Sequence, residues 1–317
     1  MSGLVTLGET MALLWAEDYG PLRHAHHLRL GVAGAESNVA IGVARLGHPA
    51  TWVGHLGDDD MGDLVEATLR GEGLGLVVHR DATRHTGLMI KAQRTSSTTR
   101  VSYFRSGSAA SALAPADLPL DAIAAADVLH VTGITPALSS SCREAVTAAV
   151  RYARSNGTLV SLDINHRTAL WSDDEARPVL QALVAEADLV FASDDEACLV
   201  LGTPDSAPAA ELAAGLADLG APEVVIKRGA AGALALLDGT VLEEPAIPVV
   251  AVDHVGAGDA FVAGYLAGVL AGSDPVQRLR LGNTTGAFAV TVAGDWEGAP
   301  TRRELGLLAH RDGTVVR

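Results

Sequence analysis

Short apolar runs alternate with helix-patterned stretches along most of the chain, and this rhythm limits the possible folds more than any other feature. Residues 5–8, 51–56, 128–132, 158–163, 189–192, 224–227 and 233–237 are brief and rich in apolar side chains, as strands buried on both faces are. Helix-like runs lie between them at 39–46, 61–71, 142–156, 176–186, 195–201 and 208–219. Gly157, Gly202 and Gly220 follow three of these as C-terminal stops. Such alternation predicts an α/β fold, with helices on both faces of a doubly wound, mostly parallel sheet. Ligands of such sheets collect beyond the C-terminal ends of the strands.

Two segments break the rhythm. Leu28-Arg29-Leu30-Gly31-Val32 sits in one; Gly87–Lys91 and Arg100–Arg105, separated by polar Thr95–Thr99, sit in the other and read as a hairpin with no helix. The expected partition is a main α/β domain from 1–12, 36–84 and 108–317, with 13–35 and 85–107 forming a small inserted β-lid.

A chain of 317 residues buries a large core without staples. With 48% hydrophobic but only 4% aromatic residues, Ala, Val and Leu must build that core. Cys142 and Cys198 lie in apolar segments and form no C-x-x-C pair, which points to buried thiols in a reducing compartment. The start, Met1-Ser2-Gly3-Leu4-Val5, lacks a basic leader, and no apolar run reaches membrane-spanning length. A cytoplasmic protein with no membrane partner is expected. A net charge of −15 disfavours nucleic acid as a partner. Any anionic ligand then needs local cations, which directs attention to Arg105, Arg167, Lys227 and Arg228.

The densest chemistry lies in Asp253-His254-Val255-Gly256-Ala257-Gly258-Asp259 and the apolar run Ala260–Leu266. Small residues permit a tight turn and close approach to a ligand. The helix that follows turns free N–H groups and its positive dipole end toward that turn, which suits phosphate. Asp259 in the first helical turn is placed to take a proton from an attacking hydroxyl, or else serves only as a cap. The segment matches neither a Walker P-loop nor a dinucleotide-binding fingerprint. Phosphoryl transfer from a nucleotide to a small alcohol is the chemistry these parts suit.

Gly34-Ala35-Glu36-Ser37-Asn38-Val39-Ala40, Ala44–Gly47 and Gly54–Gly62 resemble the N-terminal signature of the ribokinase/PfkB sugar-kinase family, and Asp253–Asp259 resembles its C-terminal one. Ser106–Ala110, Gly133–Ser139, Leu162–Arg167, Leu170–Ser172, Lys227–Gly232 and Glu297–Pro300 narrow the resemblance to 2-keto-3-deoxygluconate kinases. The resemblance implies a ribokinase-like fold and transfer of the γ-phosphoryl group of ATP to the terminal hydroxyl of 2-keto-3-deoxygluconate. It makes Asp259 the base and Gly256, Ala257 and Gly258 the N–H donors to the moving phosphoryl group. It puts Gly34, Tyr103, Arg105, Ile134, Arg167 and Asp295 on the sugar, with Asn165, Ser193, Lys227, Gly229, Gly232 and Asn283 on the nucleotide.

Residue chemistry agrees with the sugar acid. Its carboxylate calls for planar bidentate donors, and neutral substrates would leave Arg105 and Arg167 as buried guanidinium groups without a carboxylate partner. Glu196 is expected to meet Mg²⁺ through water, and a monovalent cation near Asp253 and Val255 is left open. The resemblance also implies a homo-oligomer formed through the lids. His254 replaces the usual Thr or Pro, and Met89 stands where several sugar-acid kinases carry Tyr. His24-Ala25-His26-His27 has no second ligand cluster and reads as solvated. Fructokinase, ribokinase, the deoxy-keto-gluconokinase of inositol breakdown and a sugar sensor without turnover are the alternatives.

Overall fold

The computed structural model describes residues 3–16, 19–95 and 98–309. Met1, Ser2, positions 17 and 18, Ser96 and Ser97 of the expected polar turn, and 310–317 lie outside the described residues.

The chain opens with β1 (Leu4–Leu7), β2 (Met11–Ala16) and β3 (Leu28–Ala33). The helix Ala35–Arg45, β4 (Ala50–Gly57), the helix Asp60–Gly71 and β5 (Gly75–Asp81) follow. β6 (Leu88–Thr95) and β7 (Thr98–Phe104) pair antiparallel. Strands and helices then alternate through β8 (Val128–Thr132), Ser140–Ser155, β9 (Leu159–Asp163), Asp173–Val184, β10 (Leu189–Ser193), Asp194–Leu201, Ala209–Asp218 and β11 (Glu223–Lys227). β12 (Ala233–Leu237), β13 (Thr240–Glu244) and the helices Ala257–Leu270 and Pro275–Val290 complete the fold.

Nine strands form one sheet in the order β13-β12-β11-β10-β9-β8-β1-β4-β5, parallel from β11 through β5 and antiparallel at β12 and β13. The chain winds outward from β1 in both directions, so the fold is the expected doubly wound α/β sheet, and each expected strand falls within it. Both faces are covered: Val190 and Ala192 face one apolar cluster while Leu189 and Phe191 face the other. That two-sided burial is why these strands read as unbroken apolar runs. β5 and β13 escaped the sequence reading because they are edge strands with alternating or exposed residues.

The strands of the two rhythm-breaking segments form a second sheet in the order β3-β2-β6-β7, with β2 beginning at Met11. Met11, Leu13, Ala33 and Met89 make its small core.

The helix Ala257–Leu270 is apolar all round because it is buried all round, as its position in the second core cluster requires. It lies so close to the helix Ala35–Arg45 that a Cβ on Gly42 would come within 2.5 Å of Ala263 Cβ. This close packing brings the first turns of both helices together beside the strand ends.

Candidate active site

A cavity of about 520 Å³ opens at the C-terminal ends of the large sheet, under the second sheet. The parallel strands supply its floor: Glu9 follows β1, Ile134 follows β8, Asp163 ends β9 with Asn165 just beyond it, Ser193 ends β10 and Lys227 ends β11. This is the switch-point crevice that the winding order predicts.

The glycine turn is built for close approach. Gly256 takes φ +76° as the N-cap of its helix, and a Cβ there would come within 1.7 Å of the Asp295 carbonyl oxygen. Both the dihedral and the contact demand glycine. The first-turn N–H groups of the helix have no intrahelical acceptors, although Ala257 N–H makes a long 3.5 Å contact with the His254 carbonyl.

Asp259 stands one turn further on, half-buried where it meets the cavity and enclosed by protein elsewhere. Its Oδ2 accepts Asn38 Nδ2–H at 2.8 Å and its Oδ1 faces Asn165 Nδ2 at 3.5 Å. Desolvation pushes its carboxyl up to about 7, against the Asn38 hydrogen bond and the charges of Arg167 and Lys227, with Asp163 adding to the rise. Asn165 reaches it from a left-handed backbone at φ +40°, which Asn tolerates. A carboxyl group near neutrality is well matched to moving a proton at cellular pH.

On one side of the turn Lys227 Nζ bonds both oxygens of Asp163 at 2.7 Å. Burial alone would lower its pKa, but the charges of Asp163, Glu196 and Asp259 outweigh that and hold it above the usual lysine value. Ser193 caps the helix Asp194–Leu201, and Glu196 accepts the N–H groups of Ser193 at 2.9 Å and His166 at 3.0 Å. Each Glu196 oxygen thus accepts one backbone N–H and helps to fix two strand ends. Among the described residues no three metal-ligating side chains converge.

Gly229 lines both this cavity and a neighbouring apolar slot of about 420 Å³, walled by Ala246, Ile247, Pro248, Phe261 and Val290. Gly232, Ala257 and Asn283 also face the slot. Asn283 Nδ2 donates to the carbonyls of Glu244 and Pro245 at 3.0 and 3.1 Å. His254 borders both spaces, exposed.

At the other end Gly34, Met89, Tyr103, Arg105, Ile134, Arg167 and Asp295 line the cavity. Arg105 departs from the sequence expectation. It is 8% exposed, yet its Nε and a terminal nitrogen both lie 2.6 Å from Glu9 Oε2, while Ser108 Oγ donates to Glu9 Oε1. A neutral substrate would therefore not strand Arg105. Arg167 is exposed rather than buried, and among the described residues it makes no ion-pair contact with a carboxylate, although its charge is felt at Asp259; its side chain donates to its neighbour's carbonyl, His166 O, at 3.0 Å. Free cationic capacity rests on Arg167.

Sequence reasoning assigned no role to Asn38, Asp163, Glu9, Glu36 or Lys91. Asn38 and Asp163 lie inside motifs it did use, whereas the partnership of Glu9 with Arg105 spans 96 residues and leaves no local trace. Glu36 is buried and accepts the hydroxyls of Thr132 and Thr135 at 2.7 and 2.6 Å, and burial holds its carboxyl above the usual range. Thr132 Oγ1 in turn receives Ile134 N–H at 3.0 Å, so Glu36 anchors the loop that presents Ile134.

The chain is 35% identical to the 2-dehydro-3-deoxygluconokinase of Bacillus subtilis, across 98% of this chain and 96% of that protein. It is 37% identical to a 2-dehydro-3-deoxygalactonokinase of Haloferax volcanii, with 92% of each covered, and 36% identical to a fructokinase of Klebsiella pneumoniae, with 86% and 90% covered. A protein from Escherichia coli solved in complex with ATP and Mg²⁺ superposes with a TM-score of 0.89 at 25% identity, covering 98% of this chain and 99% of that one. The profile of the pfkB family of carbohydrate kinases matches residues 1–302, and with the doubly wound sheet and glycine turn just described, the chain belongs to that family.

Proposed function

We propose that the protein transfers the γ-phosphoryl group of ATP to the terminal hydroxyl of a 2-keto-3-deoxy sugar acid, with 2-keto-3-deoxygluconate yielding 2-keto-3-deoxy-6-phosphogluconate. The observation that carries this reading is the presence, in one cavity, of a near-neutral carboxyl at a phosphate-seeking helix start and a guanidinium without a carboxylate partner, Asp259 and Arg167. Asp259 takes the hydroxyl proton as the sugar oxygen bonds the γ-phosphorus and the bridging oxygen leaves with ADP. Gly256, Ala257 and Gly258 turn N–H groups toward the charge on the transferring group. Asn165, Ser193, Lys227 and Gly229 border the phosphate path. The apolar slot beside Gly232 and Asn283 suits a flat purine. Mg²⁺, carried on the nucleotide phosphates and water, would neutralise their charge, with Glu196 reaching it through water. A monovalent cation near Asp253 and Val255 would have to share Asp253 with partners it already has, Val255 N–H at 3.2 Å and Lys91 at 2.6 Å.

Gly34, Tyr103, Arg105, Ile134 and Asp295 surround the space left for the sugar, with Arg167 on its carboxylate. The second sheet acts as a lid that excludes water from the nucleotide. Its edge strands expose Leu28, Leu30 and Phe104, and we assign a homo-oligomer to that surface. No described helix is long and apolar enough to cross a membrane, and an ATP-dependent enzyme with two buried free thiols belongs in the cytoplasm. Fructose phosphorylation is the second reading, favoured by the neutral Arg105–Glu9 pair.

ADP release should be followed with Mg-ATP and 2-keto-3-deoxygluconate, 2-keto-3-deoxygalactonate, fructose or ribose. Turnover of the sugar acids, cut by roughly 10²–10⁴-fold in Asp259→Asn, is expected; turnover of fructose or ribose alone would retain the kinase and refute the sugar acid.

A further inference from the structure

Lys91 is the most enclosed cation described, at 0% exposure, and the chemistry above gives it no task. It sits in β6, where Trp15 of β2 is its register partner and the Trp15 ring lies 5.6 Å from Nζ. Its Nζ donates to Asp253 Oδ2 at 2.6 Å and faces Asp295 Oδ1 at 3.5 Å.

Those two carboxylates are not arbitrary partners. Asp253 holds the entry to the glycine turn, because its Oδ1 accepts Val255 N–H at 3.2 Å and its Oδ2 accepts Gly294 N–H at 3.3 Å. Asp295 supports the same turn from the opposite side, where its carbonyl oxygen abuts Gly256. One ammonium group therefore joins three pieces distant in sequence: the second sheet, the turn and the 294–297 loop. An alkyl side chain would fill the volume but leave two carboxylates buried without a cation, close to where an anionic phosphoryl group must pass. Partly unpaired buried charge is expensive enough to move or neutralise its owners.

We propose that Lys91 is a positioning residue for phosphoryl transfer, fixing the glycine turn against the second sheet and supplying the cation that keeps Asp253 and Asp295 in place. The placement of Asp253–Asp259 at the phosphoryl group rests on the proposed function. With Lys91 present, movement of the second sheet and order in the turn become one event.

The test compares wild type, Lys91→Ala and Lys91→Arg on whichever sugar the wild type phosphorylates best, so an error in the sugar does not alter the ratio. Lys91→Ala should lose about 10²-fold in kcat, as small misplacements of reacting groups do, with the KM for ATP unchanged. Lys91→Arg should retain most of the rate. Propylammonium, which replaces the deleted carbons and nitrogen, should restore Lys91→Ala saturably, while tetramethylammonium, without N–H donors, should not; neither should stimulate wild type. Amide exchange at residues 255–258 should quicken in Lys91→Ala, a readout that survives even if no sugar is turned over.

Wild-type kcat in folded Lys91→Ala, wild-type exchange at the turn, or a loss that neither Arg nor propylammonium repairs would each overturn the proposal. Should Lys91→Ala fail to fold, Lys91→Met with Asp253→Asn removes the ammonium together with the nearer of its two carboxylates, the one at 2.6 Å. That variant should fold with the same loss in kcat, and wild-type turnover in it would refute the role.

Discussion

A carboxyl group pushed up to about 7 by burial affects activity and stability in opposite directions as pH rises. Below its ordinary value of 3.8, Asp259 is protonated whether the chain is folded or not. Between there and about 7 the folded chain keeps a proton that the unfolded chain releases, so rising pH favours unfolding across this window. The groups facing it are Asn38, Asp163, Arg167 and Lys227. Only the deprotonated form accepts a proton, so kcat/KM should climb with pH and level off above about 7. Asp259→Asn should melt at a higher temperature than wild type at pH 8 and at the same temperature at pH 3, while losing roughly 10²–10⁴-fold in turnover. Equal melting at both pH values would show that ionisation there places no strain on the fold.

The two arginines differ in the same residue-level terms. Arg105→Ala strands Glu9 in a buried site, and removing one partner of such a pair costs about 3–5 kcal/mol of stability. Pairing it with Glu9→Gln should recover much of that loss in urea titrations. Arg167→Ala, on an exposed side chain, should leave stability within about 0.5 kcal/mol. It should raise the KM for a sugar acid by roughly 10–100-fold, the worth of a charged hydrogen bond, and leave fructose unaffected. An equal effect on both sugars would move the carboxylate elsewhere in the cavity.

At the scale of elements, the turn and its helix behave as one unit. Gly256→Ala places a methyl group within 1.7 Å of the Asp295 carbonyl and strains φ +76° at once. The turn must open, and kcat should fall about 10²-fold or more, with circular dichroism unchanged; retention of near wild-type kcat would mean that the turn's N–H groups are not what the reaction uses. How far such elements can be read from sequence follows from their burial. β1, β8, β9, β10 and β11 were legible because both faces are covered, which leaves an unbroken apolar signature. β5 and β13 were not, because an edge strand answers partly to solvent. The turn itself was legible as a run of small residues before an apolar helix. The ties that position it were not, since Lys91 meets Asp253 across 162 residues and Asn38 meets Asp259 across 221. Those pairings exist only once the second sheet is laid over the first.

For the whole molecule, the winding order gathers cations where the overall charge of −15 would repel an anion. Strand ends from β1 to β11 converge on one crevice, and Lys227 and Arg167 are carried there by separate connections. The second sheet lies over that crevice, and among the described residues no further strand pairs with its outer edges. Leu30 on β3 is 52% exposed and Phe104 on β7 is 54% exposed, at opposite edges of one four-stranded sheet. Unpaired strand edges carrying large apolar side chains are templates for association unless something covers them. A second copy of the same sheet would cover both edges by symmetry, which is how most homo-oligomers close, and the homo-oligomer proposed above predicts that arrangement. Leu30→Asp with Phe104→Asp should therefore halve the sedimenting mass of a wild-type dimer, and should raise the KM for sugar by loosening the sheet that forms the roof of the cavity. A wild-type chain that sediments as a monomer at micromolar concentration would leave that surface without a partner and return the closing of the crevice to the single chain.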